Sequence, residues 1–131
     1  MNNRTAVEGI IMNSIIIICQ IIIALGIFNV WLVRSKKATA WRGGDATNMQ
    51  EEFATYGLPG WFMKTIGALK ILLAICLLIG IWMPTLATLA AIGMAVLMLG
   101  AVSMHIKVGD PLKKSLPAAT MLLLSLVVAA G

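Results

Sequence analysis

The stretch TIGALKILLAICLLIGIW, residues Thr65–Trp82, is almost entirely apolar, and its one charged residue is Lys70. A helix needs about 20 predominantly apolar residues to cross the hydrocarbon core of a bilayer, and this stretch is close to that length. An ammonium group at the bilayer centre costs about 2.5–3.5 kcal/mol on insertion scales, and more if it faces lipid. The stretch therefore predicts a membrane-spanning helix whose lysine points into the protein.

The composition of the whole chain supports this interpretation. Of its 131 residues, 60% are hydrophobic and only 11% are charged, and the mean hydropathy is +0.98. A soluble domain of this length could not bury so much apolar surface, so the composition indicates an integral membrane protein. The net charge of +5 comes from short connectors between apolar runs. It therefore indicates topology signals, and no nucleic-acid partner is predicted.

Four apolar segments are each long enough to cross a bilayer. They cover about residues 10–33, 61–82, 84–106 and 112–131. A membrane interior permits only helices or closed barrels, and the period-two alternation that a barrel requires is absent. The chain is therefore predicted to be all-α, a four-helix transmembrane bundle that forms a single membrane domain over residues 1–131.

A short additional helix is predicted in the connector between the first two spanning helices. Thr47 and Gln50 have the spacing of a capping box, and Gly57 suits the left-handed position that ends a helix. Three residues between them repeat at helical spacing and form one apolar stripe: Met49, Phe53 and Tyr56. We therefore expect an amphipathic helix over about residues 48–56 that lies at the cytoplasmic interface or caps the bundle.

Lysine and arginine residues predict the orientation. They are concentrated in the connectors that follow the first and third spanning helices: Arg34, Lys36, Lys37, Arg42, Lys107, Lys113 and Lys114. Because cytoplasmic loops are enriched in basic residues, both connectors are expected in the cytoplasm and both termini outside. The expected location is the inner (cytoplasmic) membrane of a bacterium.

Five side chains form the candidate ligand-binding site. Lys70 shares its helix face with small residues and is expected to lean toward the cytoplasmic end. Gln20 on the first helix is predicted at nearly the same depth, and His105 near the cytoplasmic end of the third. If these faces point inward, they line a cytoplasm-facing cavity with Tyr56, and Asp110 flanks its mouth. A cation at the floor suits an anionic or carbonyl-bearing head group, such as that of a quinone, a lipid or an organic acid.

Several of these residues also have a purely structural interpretation. Lys70 can snorkel or pair inside the bundle, Gln20 can hydrogen-bond between helices, and His105 can make an interfacial hydrogen bond. Met94 and Met98 share the His105 face and are soft ligands for Cu(I), although such a stripe is more often core packing. The sequence has no convincing metal cluster, nucleophile motif or phosphate loop. No catalytic or metal-binding residue is therefore predicted, and no cofactor is assigned.

Cys19 and Cys76 are the two cysteines of the chain. Both lie within apolar segments, and no C-x-x-C motif is present. We expect two buried thiols that pack as small hydrophobic residues. A redox pair that bridges the first two helices is the alternative.

Four stretches between Glu51 and the C-terminus are typical of one family: YGLPGWF (Tyr56–Phe62), IGALKILLAICLLIG (Ile66–Gly80), LMLGAV (residues 97–102) and HIKVGDP (His105–Pro111). In their order and spacing, this part of the sequence resembles the DoxX-like family of small four-helix membrane proteins. The resemblance implies a four-helix integral membrane protein. The family's name comes from a subunit linked to quinone-dependent sulfur oxidation. Other members are associated with membrane redox complexes or with the assembly of other membrane proteins.

Three functions fit these observations. The first is an accessory subunit, not an autonomous enzyme, that binds a quinone or lipid-like amphiphile around Lys70 and belongs to a membrane redox complex. The second is a small exporter that works as a homo-oligomer. Many DoxX-like sequences have glutamate at the position of Lys70, and others have lysine. An acid there would suit proton coupling, so the missing carboxylate argues against a proton-coupled exporter. The third is an assembly or scaffolding factor that acts through the small-residue face of the third helix.

Overall fold

The computed structural model describes residues 3–131 and is helical, with no strand in that range. Four helices are long and apolar enough to cross a membrane, which confirms the predicted all-α fold with four spanning helices. In chain order the helices are α1 (Asn3–Phe28), which continues through a π-helical turn (Asn29–Val33), α2 (Met49–Thr55), α3 (Gly60–Ile79), α4 (Pro84–Lys107) and α5 (Leu112–Ala130).

The four spanning helices form a closed bundle. α1 and α4 are diagonal to each other, and each packs against both α3 and α5. Their inner faces meet in one apolar core, whose buried members come from all four helices and include Ile23, Ala24, Ala74, Leu77, Ala91, Met94 and Val128. Many large aliphatic side chains outside this core are exposed, as expected for helices that face lipid.

The two ends of the bundle differ. The connector over residues 34–48, α2 and the α4–α5 turn lie at one end, which we call the α2 end. α2 packs against α3, and its predicted stripe of Met49, Phe53 and Tyr56 is buried. The predicted amphipathic helix is therefore present and caps the bundle.

The residues that begin and end α2 differ in part from those predicted. Its N-cap is Asn48, whose side chain accepts a hydrogen bond from the Glu51 amide at 2.8 Å. The predicted capping box of Thr47 and Gln50 is wrong by one residue, because Asn48 is the residue in extended backbone. Hydrogen bonds from the Thr47 hydroxyl and then its amide hold the pKa of Glu51 below its usual range. Gly57, at φ +79°, ends the helix as predicted.

The first spanning helix is longer than its apolar segment. The apolar run starts at Ile10, but the helix already includes Asn3. An ion pair between Arg4 and Glu8 at 3.1 Å supports its first polar turns, as expected for opposite charges four residues apart. Hydropathy therefore locates the apolar part of this helix and not its polar start.

Gln20 lies at a different depth from the one predicted. It is 2% exposed, and its amide nitrogen donates to the Leu77 carbonyl oxygen at 2.7 Å. The Ile81 amide, which would complete the helical bond to Leu77, donates to Leu78 instead. Gln20 therefore satisfies a carbonyl left open at the end of α3. Because Leu77 is about 10 Å farther along α3 than Lys70, the prediction that Gln20 and Lys70 share one depth is wrong.

Gln20→Met should retain the length of the side chain and remove this hydrogen bond. We expect the free energy of unfolding in detergent to fall by about 1 kcal/mol, in the range of interhelical hydrogen bonds in membranes. Ile22→Met, which changes an exposed residue of the same helix, is the control. Equal stability of wild type and Gln20→Met would show that the Leu77 carbonyl does not depend on Gln20.

Candidate functional site

A cavity of about 570 Å³ lies at the α2 end of the bundle. All four spanning helices contribute to its walls, together with the connector and α2. The lining is mainly apolar and aromatic, with a few polar and charged side chains among them. Its size and its lining are those of small-molecule sites in proteins.

Lys70 lines this cavity from α3. The residue is 8% exposed, and Nζ lies 5.5 Å from the centroid of the Trp31 ring. Within residues 3–131 it makes no hydrogen bond and no ion pair. Gly67, one turn earlier, leaves room for the indole, since a Cβ there would lie 2.5 Å from the ring. A buried ammonium group therefore faces the cavity with an aromatic ring as its protein partner.

Aromatic rings connect Lys70 to His105 along one wall of the cavity. The ring of Phe53 lies 6.0 Å from that of Trp31 and 6.1 Å from that of Tyr56, and the Tyr56 ring lies 5.8 Å from the imidazole. Trp31 belongs to the π-helical turn that ends α1, a local irregularity that is frequent at functional sites. This aromatic wall can stack against a flat head group.

Glu52 and Arg42 form a buried ion pair that also lines the cavity. Arg42 Nη1 donates to Glu52 Oε2 at 2.9 Å, and the Gly43 amide donates to Oε1 at 3.0 Å. The other Arg42 nitrogens donate to the carbonyl oxygens of Arg34 and Lys37. Sequence reasoning missed this pair, because Arg42 was interpreted only as a topology signal. The available indication was an acidic residue, Glu52, on the buried face of α2.

Tyr56 is held as a neutral hydrogen-bond donor. Its hydroxyl donates to Glu52 Oε1 at 2.7 Å. Burial raises the pKa of Tyr56, and the negative charge of Glu52 raises it further, so the hydroxyl keeps its proton at physiological pH. Lys107 Nζ donates to the Tyr56 carbonyl oxygen at 2.9 Å, which links the end of α2 to α4.

His105 is oriented by Asp110. Its Nδ1 lies 2.7 Å from Asp110 Oδ2, and because a carboxylate can only accept, Nδ1 carries the hydrogen. The other oxygen accepts from the Gly44 amide at 2.9 Å, and Lys114 Nζ is 4.0 Å away. Burial alone would raise the pKa of Asp110. The hydrogen bonds from His105 and Gly44, together with nearby positive charge, outweigh burial and hold this pKa below its usual range.

The structure brings three of the five predicted site residues to one cavity: Lys70, Tyr56 and His105. Asp110 supports His105 without lining the cavity, and Gln20 lies apart at the end of α3. The role of these residues in ligand binding stays a prediction.

The predicted metal and thiol alternatives have little geometry to support them. Met98 and His105 both line the cavity, but Met94 does not line it and belongs to the apolar core. In the part of the chain that the structure describes, no three histidine, cysteine or acidic residues are grouped so that they could hold a metal ion. Cys19 and Cys76 are both free thiols.

Asp110→Asn should remove a carboxylate whose pKa is lower in the folded than in the unfolded protein. The stability from such a group is complete above the ordinary aspartate pKa of about 3.9 and is lost as pH falls through the lowered folded pKa. At neutral pH we expect the variant to lose about 1–3 kcal/mol of unfolding free energy. The difference from wild type should shrink in strong acid.

Thermal melts in detergent from neutral to strongly acidic pH measure this difference. Asp45→Asn is the control, because Asp45 is an exposed acid of the same connector. A difference between wild type and Asp110→Asn that stays constant throughout would show that the charge of Asp110 does not stabilise the fold.

Comparison with known protein families matches residues 38–129 to the DoxX-like family. The match covers α2, α3, α4 and nearly all of α5, which is more than half of the chain. It begins before Glu51, where the resemblance in the sequence starts, and includes the connector residues from Arg42 onward. Comparisons with curated proteins and with solved structures gave no match. The chain therefore belongs to the DoxX-like family of membrane proteins.

Proposed function

We propose that this chain is an accessory membrane subunit, not an autonomous enzyme, that binds a small amphiphile in the cavity around Lys70. The amphiphile carries an anionic or carbonyl-bearing head group, as a quinone or a lipid does, and the partner of the subunit is a membrane redox complex. The observation that carries the proposal is the buried Lys70 ammonium group, which faces the cavity without a hydrogen-bond acceptor among residues 3–131.

Electrostatics favour a ligand oxygen beside Lys70. A buried ion is costly unless a counter-ion or hydrogen-bond acceptor is present, and the contact with Trp31 supplies only about 0.5–2 kcal/mol. Of the other basic side chains that line the cavity, Arg42 pairs with Glu52, Lys114 donates to the Gly44 carbonyl oxygen, and Arg34 is exposed. Lys70 is therefore the cation best placed to bind an oxygen of a ligand.

The remainder of the cavity suits the apolar part of an amphiphile. Ile27 from α1, Met98 from α4 and Met121 from α5 line it. Methionine side chains are flexible and polarisable, and they adapt to the shape of an apolar group. A small hydrophilic acid would leave this surface uncovered, so the lining favours a ligand with a hydrocarbon or ring portion.

Lys70→Met should preserve the fold and abolish retention of the amphiphile. Methionine keeps the apolar stem and removes the charge, so we expect stability to be unchanged or higher, because an unpaired buried cation is a cost. Native mass spectrometry of the protein purified in mild detergent should show bound small molecules on wild type, reduced about tenfold or more on the variant.

Lys64→Met is the matched control, since it removes an exposed lysine from the same helix. It should retain the same small molecules as wild type. If Lys70→Met also retains them unchanged, Lys70 does not bind the head group and only extends toward the membrane surface.

We also propose that both connectors lie in the cytoplasm and both termini outside, in the inner membrane of a bacterium. The support is the asymmetry of basic residues, which are concentrated at the α2 end: Arg34, Lys36, Lys37, Arg42, Lys64, Lys107, Lys113 and Lys114. In this orientation the cavity lies at the cytoplasmic side of the bilayer.

Single cysteines at Asn3 and Asp45 test this orientation. Both residues are exposed, and Cys19 and Cys76 are replaced by alanine in the background. A membrane-impermeant thiol reagent added to intact cells should label Asn3→Cys and not Asp45→Cys. The opposite pattern would reverse the proposed orientation.

A further inference from the structure

The hydrogen bonds around His105 leave its Nε2 nitrogen without a protein group that donates a hydrogen bond to it. The Nδ1 hydrogen is used by Asp110, and the only hydroxyl hydrogen of Tyr56 is used by Glu52. Nε2 lies 3.4 Å from Tyr56 Oη and 4.0 Å from Glu52 Oε1. In a neutral imidazole with hydrogen on Nδ1, Nε2 can only accept a hydrogen bond. Neither of the two oxygens near it, Tyr56 Oη and Glu52 Oε1, has a hydrogen to donate to it. The contact with Tyr56 becomes a hydrogen bond only when Nε2 carries a proton.

Charged groups surround His105 and the cavity. The two carboxylates beside His105, Glu52 on α2 and Asp110 after α4, each have a basic neighbour, Arg42 and Lys114 respectively. Tyr56 is neutral and Lys107 binds its carbonyl oxygen. Lys70 on α3 contributes a positive charge to the same cavity, which opposes a second cation. An anion beside Lys70 would cancel that opposition.

We propose that the site takes an amphiphile with an acidic hydroxyl group, such as a phenol, an enol or a hydroquinone, and moves the hydroxyl proton to His105 Nε2. The ligand O–H bond breaks, the Nε2–H bond forms, and the electron pair stays on the ligand oxygen. The resulting oxyanion is held by the Lys70 ammonium group and by the new Nε2–H, which points to the oxygen that gave up the proton. No oxidant or reductant is needed. This inference rests on the proposed function and narrows its ligand class.

The transfer suits a ligand that arrives through lipid. A neutral hydroxyl compound partitions into the bilayer, whereas its anion does not. Since the proton stays in the site, binding changes no net charge inside the bundle. The ligand is thus charged only where Lys70 is present to hold it, and His105 acts as the proton acceptor with Asp110 as its positioning residue.

An alkyl-substituted nitrophenol tests the inference, because its ionised form is yellow and its neutral form is colourless. The full-length protein in detergent is mixed with the probe at a pH at which the probe in empty micelles is mostly neutral. Equilibrium dialysis measures binding, and absorbance measures the ionised fraction. On wild type we expect the ratio of ionised to neutral probe to rise roughly tenfold or more, equivalent to one pKa unit of the probe.

Variants identify the proton acceptor. His105→Gln should bind the probe without the colour change, and Asp110→Asn should bind it with a smaller change. Lys64→Met should behave as wild type. The methyl ether of the probe, which has no hydroxyl proton, should bind to wild type at least about tenfold more weakly. Thermal melts confirm that each variant is folded.

Three results would overturn the inference, and the first two need no variant. Wild type could bind the probe in its colourless form, or bind the methyl ether as tightly as the phenol. A folded His105→Gln that ionises the probe as wild type does would show that the proton goes elsewhere. In each case the difference between Lys70→Met and Lys64→Met in native mass spectrometry still decides separately whether the cavity retains an amphiphile.

Discussion

The arrangement of the α2 end depends on the carboxylate of Glu52. It accepts hydrogen bonds from Arg42, from the Gly43 amide and from Tyr56, and so joins the connector, α2 and, through Tyr56, the imidazole of α4. Breaking a buried ion pair by removing one partner costs about 3–5 kcal/mol, although an intact pair often adds little net stability. The pair of Arg42 and Glu52 therefore acts mainly by selecting one conformation of the connector. Paths of the connector that leave Glu52 unsatisfied are unfavourable, and the observed path places connector residues in the wall of the cavity.

Two consecutive glycines give the connector this path. The Gly43 amide binds Glu52 and the Gly44 amide binds Asp110, so adjacent peptide groups bridge the two buried carboxylates. A Cβ at Gly43 would lie 2.5 Å from the Tyr56 ring, and Gly44 has φ +55°, a conformation that favours glycine. The backbone therefore couples the residue that orients Tyr56 to the residue that orients His105. A ligand that changes the protonation of His105 therefore acts on a side chain whose two neighbours, Tyr56 and Asp110, are both linked to the connector.

The helices could be predicted from the sequence, and the contacts between them only in part. Apolar periodicity is a local property, so it located the spanning helices and the buried face of α2. The depth of Gln20 depends on how far α1 is offset along α3. The packing of the two helices determines this offset, and the sequence of neither helix determines it alone. Asn48 displaced Thr47 as N-cap because adjacent good caps compete, and backbone geometry selects one. The pair of Arg42 and Glu52 joins an irregular connector to a helix, and no periodicity predicts such a contact.

The sign of the charge at position 70 decides what the cavity can hold. Arg42 pairs with Glu52, and Lys114 lies beside Asp110, whereas Lys70 makes no ion pair among the residues that the structure describes. A glutamate at this position would place a second carboxylate near Glu52 with one arginine between them, and one carboxylate would then have to keep its proton. Such a cavity would favour a proton or a cation. With lysine, the same fold favours an oxyanion or a carbonyl oxygen, and the proton of the ligand needs another acceptor. In our proposal that acceptor is His105, which lines the same cavity as Lys70, so the lysine and the histidine act on the same ligand.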